Sequence, residues 1–203
     1  MFALVDKSDN SITKMLNGNQ GITLGDNQYP RAIYTLWTEA ERNAINIYTI
    51  TIDESKRKDE KWYINTNITY SFDGTNATGS YGDATAKKHA DTLFTAQDET
   101  DGLGTEDDVK TEGLKTRLIR DVKLNAANEL AKTDWYITRK TEKNTAIPSA
   151  ITTHRNLVRS RQAAMETSIT NASDTPALET LYTYTKDSDG VVSRPLAVIP
   201  TLD

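Results

Sequence analysis

Residues 114–135 have the sequence LKTRLIRDVKLNAANELAKTDW, and apolar side chains recur in it at every fourth position. These positions are Leu114, Leu118, Val122, Ala126 and Leu130. A four-residue repeat slants slowly around a helix, yet it leaves a continuous apolar stripe on one side. The segment therefore predicts a long helix that buries this stripe against a partner.

A second helix is predicted C-terminal to this stretch, from Pro148 to Asn171. Pro148 can start it because the missing proline N–H would have no partner in the first turn of a helix. Its apolar positions fit a three-to-four-residue repeat, since Ile151, Val158, Met165 and Ile169 are spaced by seven, seven and four residues. We expect residues 112–172 to form a helical hairpin, followed at 173–203 by a short helix, a turn and an extended tail.

The N-terminal residues 1–97 predict a small antiparallel β-rich module. Short runs with strand-like alternation occur at 2–5, 11–16, 22–24, 47–52 and 68–72. Thr38 and Glu41 have the spacing of a capping box, which predicts a short helix over 39–44. Asp83 predicts the start of a helix that runs to about Gln97 and covers the sheet.

The stretch from 98 to 111 is acidic and contains few apolar residues, which predicts a flexible linker between the two halves. The overall expectation is an α+β fold, with the β-rich module first and the α-helical hairpin second. A calcium loop at 98–102 is disfavoured, because Thr100 and Gly102 stand where oxygen ligands are needed.

Composition excludes several classes of function. The net charge is -5 and the pI is about 5.2, which argues against nucleic-acid binding. No apolar run is long enough for a membrane span, and the N-terminus lacks the pattern of a secretion signal, so we expect a protein made in the cytoplasm. The chain has no cysteine and two histidines, His89 and His154, so we expect no metal site and no cofactor.

Candidate chemistry is sparse. The carboxylate pairs Asp53 with Glu54 and Glu106 with Asp107 fall in predicted exposed turns, where nothing separates the two pKa values as acid–base catalysis requires. His154 has no evident carboxylate partner in the sequence, so we expect it to pack against other side chains or to lie at the surface. We therefore expect a protein that is not an enzyme.

Aromatic residues offer two kinds of binding surface. In the N-terminal module, sugar stacking competes with burial in the core, and burial is favoured; the residues concerned are Trp37, Trp62, Tyr63 and Tyr70.

In the helical half, the candidate interaction residues are Trp135, Tyr136, Arg139, Arg155 and Arg159. Trp, Tyr and Arg dominate protein–protein hot spots. Core packing competes with this role, and for Trp135 we favour the interpretation that it wedges the hairpin closed, with Arg139 and Arg155 exposed or paired with Glu142.

The helical half resembles a module of bacteriophage tail proteins. That module has a helix ending in Leu-x-x-Thr-Asp-Trp, a loop with an acidic residue and Ile-Pro, and a helix bearing Tyr-Arg-x-x-x-Arg. The matching residues are Arg120 to Leu130, Leu130-Ala131-Lys132-Thr133-Asp134-Trp135-Tyr136, Arg139, Glu142, Ile147-Pro148, Arg155 and Arg159. His154 departs from the pattern, since it stands where the family often has tyrosine.

The front half is similar to small β-rich N-terminal modules of tail-associated proteins in marine phages. The residues that match are Tyr29-Pro30, Leu36-Trp37-Thr38-Glu39 and Glu41-Arg42 through Tyr48. The module of the helical half occurs in tail-fibre and tail assembly chaperone families.

These resemblances imply a non-enzymatic virion component of the baseplate or tail fibre, with other tail proteins as partners in a homo- or hetero-oligomer. The alternatives are an assembly chaperone absent from the mature virion, or a tail tip that binds a glycan or receptor.

Overall fold

The computed structural model describes residues 1–202 and divides into two compact units, one of residues 1–85 and one that begins at Ala86. Strands dominate the first unit and helices the second, which confirms the predicted α+β fold. The division falls at 85/86, whereas the sequence placed the end of the β-rich module at 97.

The first unit contains a five-stranded sheet in the order β2-β1-β5-β8-β7. The strands of the unit are β1 (Phe2–Asp6), β2 (Ser11–Leu16), β3 (Ile22–Leu24), β4 (Asn27–Tyr29), β5 (Ile47–Asp53), β6 (Tyr63–Ile64), β7 (Thr69–Phe72) and β8 (Ala77–Ser80), while β9 (Thr85–Ala86) lies at the division. Neighbours in the large sheet are antiparallel except β5 and β8, which are parallel. The module is thus antiparallel as expected except at this one pair, where residues 54–76 supply the long crossover that a parallel pair needs.

Both faces of this sheet are covered by apolar clusters. Ala3 and Val5 belong to one cluster, while Phe2 and Leu4 pack against the other, as the two-residue period of a strand requires. The second cluster also contains Ile33, at the start of α1 (Ile33–Leu36). Of the aromatic residues expected in the core, Trp62 and Tyr63 are buried, Trp37 is half-buried, and Tyr70 is exposed.

The predicted capping box is present at α2 (Glu39–Ala44). The Thr38 hydroxyl accepts from the Glu41 backbone N–H at 3.3 Å, and the Glu41 carboxylate accepts from the Thr38 backbone N–H at 2.7 Å. Two of the N–H groups left free at the helix start are thus satisfied by two side chains three residues apart.

The predicted helix from Asp83 to Gln97 is wrong. This region contains β9, β10 (Thr92–Leu93) and the start of α3 (Ala96–Thr100). Asp83 forms an exposed ion pair with Lys56 at 2.9 Å. The helix begins instead at the N-cap Thr95, which forms a capping box with Asp98, so the cap is a threonine hydroxyl 12 residues after Asp83.

The predicted flexible linker at 98–111 is also wrong, because hydrogen bonds organise this stretch. It contains most of α3 and all of β11 (Val109–Thr111), which pairs antiparallel with β10. Lys110 Nζ lies 2.7 Å from the Asp98 carboxylate. The acidic residues fold the loop back on itself and do not merely solvate a linker.

The helices of the second unit confirm the predicted hairpin and add one element to it. Besides α3, they are α4 (Leu114–Ala131), α5 (Asp134–Lys143), α6 (Ser149–Asn171) and α7 (Thr175–Tyr182). Lys115 near the start of α4 reaches the Thr170 carbonyl near the end of α6, so α4 and α6 pack antiparallel. Leu118, Val122 and Ala126 are buried on the predicted stripe. The element that is added is α5, since no helix was predicted between the two long ones.

The C-terminal residues form a hairpin of β12 (Thr185–Lys186) and β13 (Val192–Ser193). The turn expected within 173–203 lies at 187–190, where the Asp187 carboxylate accepts from the backbone N–H groups of Asp189 and Val191. The tail then buries Leu196, whose N–H donates to the carbonyl of Leu181 in α7 at 2.9 Å.

Candidate functional site

Four residues of the helical half, Leu130, Thr133, Asp134 and Arg155, meet where α4 ends and α5 begins. Arg155 Nη1 of α6 donates to the Leu130 carbonyl at 2.8 Å and to the Thr133 hydroxyl at 2.6 Å. It also lies 2.8 Å from the Asp134 carboxylate. Arg155 is only 8% exposed, so its expected exposure or pairing with Glu142 is wrong. The guanidinium instead adds a charged donor to the Leu130 carbonyl, which also accepts from the Thr133 backbone N–H at 3.1 Å and from the Thr133 hydroxyl at 2.9 Å.

A second buried polar contact lies one residue earlier in α4. Glu129 is buried, and its carboxylate accepts from the Leu202 backbone N–H at 2.8 Å and from Lys132. His154 Nε2 lies 3.1 Å from the same carboxylate, so His154 does have a carboxylate partner, 25 residues away in sequence. The hydrogen bond from Lys132 lowers the pKa of Glu129. This contact ties the C-terminal tail to the α4–α6 pair.

The start of α5 displays an aromatic and arginine group, which we call the α5 cluster: Trp135, Tyr136 and Arg139. The Trp135 and Tyr136 ring centroids lie 3.8 Å apart. The Arg139 guanidinium carbon lies 4.7 Å from the Trp135 ring centroid and 5.2 Å from that of Tyr136. Trp135 is 51% exposed, so the expectation that it wedges the hairpin closed is wrong.

The exposure of Trp135 follows from how α5 is placed. No residue of α5 is buried, so this helix contributes no side chain to the core of its unit. Its first residue, Asp134, forms an ion pair with Arg155 of α6. Because the helix packs no side chain into the core, Trp135 is presented to solvent from its first turn.

No acidic side chain of the described residues holds Arg139. Among residues 1–202, no carboxylate, that of Glu142 included, lies within ion-pair distance of its guanidinium. Arg139 Nε is buried against its surroundings and has no hydrogen-bond partner in the described chain. The cation is thus oriented by the two rings and not by a salt bridge.

Arg159 lies apart from these contacts, one helical turn after Arg155. It is exposed and lines a shallow groove of about 530 Å³ with Leu130, Gln162, Ala163, Glu166 and Thr167. Lys123 approaches Glu166 at 3.7 Å. Of the five candidate interaction residues, Arg155 is therefore an internal anchor, three form the α5 cluster, and Arg159 belongs to a separate polar groove.

The first unit has a groove of its own, of about 560 Å³, beside β2 and β3. Met15, Gly18 and Tyr34 are among its lining residues, and burial raises the pKa of the Tyr34 hydroxyl. The carboxylate pair proposed from the sequence lies elsewhere in this unit. The backbone N–H of Ser55 lowers the pKa of Asp53, which is opposite to what a general acid requires.

Three further properties of the described chain concern metal ligands, membrane-spanning helices and similarity to known proteins. Among residues 1–202, no three histidine or acidic side chains converge as ligands for a metal ion. No helix in the described part of the chain combines the length and apolar character needed to cross a bilayer. Comparison with protein-family models, curated proteins and solved structures found no match to this chain.

Sequence reasoning missed α5 and Glu129. The signals for α5 were present, since an acidic residue opens the segment and Asn144 closes it in a left-handed conformation at φ 52°. Asparagine tolerates that conformation and often ends a helix. Nothing local marks Glu129, because its partners His154 and Leu202 come from distant parts of the chain.

Proposed function

We propose that this chain is a non-enzymatic bacteriophage tail-associated protein, made in the host cytoplasm and built into the virion at the baseplate or tail fibre. One observation supports this more than any other. The Leu-x-x-Thr-Asp-Trp and Arg elements of the phage-tail pattern are one physical unit, in which Arg155 holds Leu130, Thr133 and Asp134 together. In this proposal, the residues of the pattern link α6 to the start of α5, and Trp135 follows them as an exposed side chain.

What is displayed suits binding to protein. Trp, Tyr and Arg bury large areas and carry polar groups, and these types dominate the energetics of protein interfaces. Trp135 is half-exposed while its ring is already stacked, so little side-chain freedom remains to be lost on association. The partners we propose are other tail proteins, in a homo- or hetero-oligomer.

The virion itself provides the decisive test. Particles of the phage that encodes this chain are purified, washed in high salt and analysed by quantitative mass spectrometry. We expect peptides of this chain at a constant ratio to known tail proteins. Immunogold labelling should then mark the tail and not the capsid.

Two other results have clear meanings. If the chain accumulates in infected cells but is missing from washed particles, the virion role fails; an assembly chaperone then remains, and co-expression should raise the soluble yield of the fibre protein. If the gene lies in no phage genome or prophage, the whole proposal fails. A glycan array with the full chain provides the test for a receptor-binding tip.

A further inference from the structure

We propose that the α5 cluster binds an acidic segment of a partner protein, with a carboxylate seated against Arg139 and flanking apolar residues against Trp135 and Tyr136. This rests on the proposed function only for the partner's identity as a tail protein. The chemistry of the surface stands on the contacts of α5 itself.

The charges of α5 provide the first argument. Asp134 is committed to Arg155, so the remaining charged residues of the helix are Arg139, Lys140, Glu142 and Lys143. Three of these four are cations, and none forms an ion pair with a described residue. A chain of net charge -5 thus carries a locally positive helix. Complementary charge steers an acidic partner to such a surface and disfavours basic partners.

The geometry of Arg139 provides the second argument. Its guanidinium lies over both the Trp135 and Tyr136 rings, at 4.7 and 5.2 Å from their centroids. A guanidinium held in this way is already oriented, and its N–H groups form a planar fork that matches both oxygens of a carboxylate. The rings beside it offer apolar surface. One carboxylate with apolar neighbours therefore fits the cluster.

A protein segment suits this surface better than a nucleic acid does. Phosphate backbones are bound by many cations along a track, and the overall charge of this chain repels them. The α5 cluster contains one arginine beside two rings, which matches a single carboxylate and its neighbouring side chains.

Selection from a displayed library of random 12-residue peptides, with the full chain as bait, tests this directly. We expect enriched peptides to carry Asp or Glu next to an aromatic or aliphatic residue. Their affinities are then measured by fluorescence polarisation against the wild-type chain and against Arg139→Gln, Trp135→Ala and Lys140→Gln. Circular dichroism confirms that each variant is folded.

The expected pattern separates specific recognition from general charge. Arg139→Gln should weaken binding about 10- to 100-fold, the range for loss of a charge-assisted hydrogen bond. Lys140→Gln removes the same charge from the same helix and should change affinity about threefold or less. Replacing the peptide's Asp or Glu with Asn or Gln should weaken binding to the wild-type chain as much as Arg139→Gln does.

Several results would overturn the proposal. They are a selection that enriches nothing, enriched peptides without an acidic residue, equal losses from Lys140→Gln and Arg139→Gln, or tighter binding of a 20-nucleotide poly-dT probe. If Arg139→Gln fails to fold, the acidic and amide peptides on the wild-type chain decide the matter. Failure here leaves the virion test of the proposed function intact, while detection in virions does not by itself support an acidic ligand.

Discussion

At the scale of single residues, Arg155 has the largest structural role among the candidates. Its guanidinium contacts a backbone carbonyl, a hydroxyl and a carboxylate, and the side chain is nearly buried. Removing it deletes all three contacts at once and empties the space of a nearly buried side chain. Hydrogen bonds from a charged donor contribute about 1.5–3 kcal/mol each, more than those between neutral groups.

We therefore expect Arg155→Ala to lower the free energy of unfolding by about 2–4 kcal/mol. Urea denaturation followed by circular dichroism measures this. Arg159→Ala is the matched control on the same helix, because Arg159 is exposed, and it should change stability by about 0.5 kcal/mol or less. Equal effects of the two substitutions would contradict the anchoring role.

Asp98 provides a second prediction at this scale. The hydrogen bond from Lys110, with those from Thr95, lowers the pKa of the Asp98 carboxyl to about 2. Lys110→Met removes the largest cause, so the pKa should rise toward the ordinary value of 3.8. Carboxyl-carbon NMR titration measures it directly. An unchanged pKa would mean that the loop at 98–111 does not hold this ion pair in solution.

At the scale of elements, the antiparallel pair of α4 and α6 forms the core of the second unit. Ile169 of α6 is fully buried, while Leu157 of the same helix is 43% exposed. The two residues test whether burial, and not apolar character alone, stabilises the pair.

Ile169→Ala should lower the free energy of unfolding by about 2–5 kcal/mol, because it removes buried methylenes and leaves a cavity. Leu157→Ala should cost about 1 kcal/mol or less, because the Leu157 side chain is already partly exposed and its removal uncovers little apolar surface. Alanine also has a higher helix propensity than leucine. Urea unfolding monitored at 222 nm gives both values. A larger loss at Leu157 would contradict the assigned helix faces.

At the scale of the whole molecule, hydrogen bonds to carboxylates recur throughout both units. Their donors are mostly backbone N–H groups, hydroxyls and ammonium groups. They lower the pKa values of Asp6, Glu41, Asp53, Asp73, Asp91, Asp98 and Glu129. Most of these carboxylates accept hydrogen bonds at turns or helix starts, so the folded state favours their ionised form.

A carboxyl whose pKa is lower in the folded chain contributes stability above its unfolded pKa, and that stability is lost as the pH falls through the folded pKa. We therefore expect the urea midpoint to be constant from pH 7 to about 5 and to fall steadily between about pH 4.5 and 2. Glu129→Gln should make this acid-side fall shallower. A midpoint that rises on acidification would contradict the assignment.

The sequence by itself determined the features that depend on neighbouring residues. The apolar repeat from Leu114 to Leu130 identified α4, the three-residue spacing of Thr38 and Glu41 identified a capping box, and alternation identified β1, β2 and β5. Local hydrogen bonds and side-chain periodicity fix such elements, so the chain needs no distant contact to specify them.

Only the tertiary structure decided what depends on residues far apart in the chain. Arg155 is buried because Leu130 and Thr133, 25 and 22 residues earlier, accept its hydrogen bonds. Trp135 is exposed because α5 packs no side chain into the core of its unit. The sequence showed the types of the candidate residues. Whether such a residue is a buried anchor like Arg155 or an exposed binding residue like Trp135 depends on burial, which arises only when separate helices pack together.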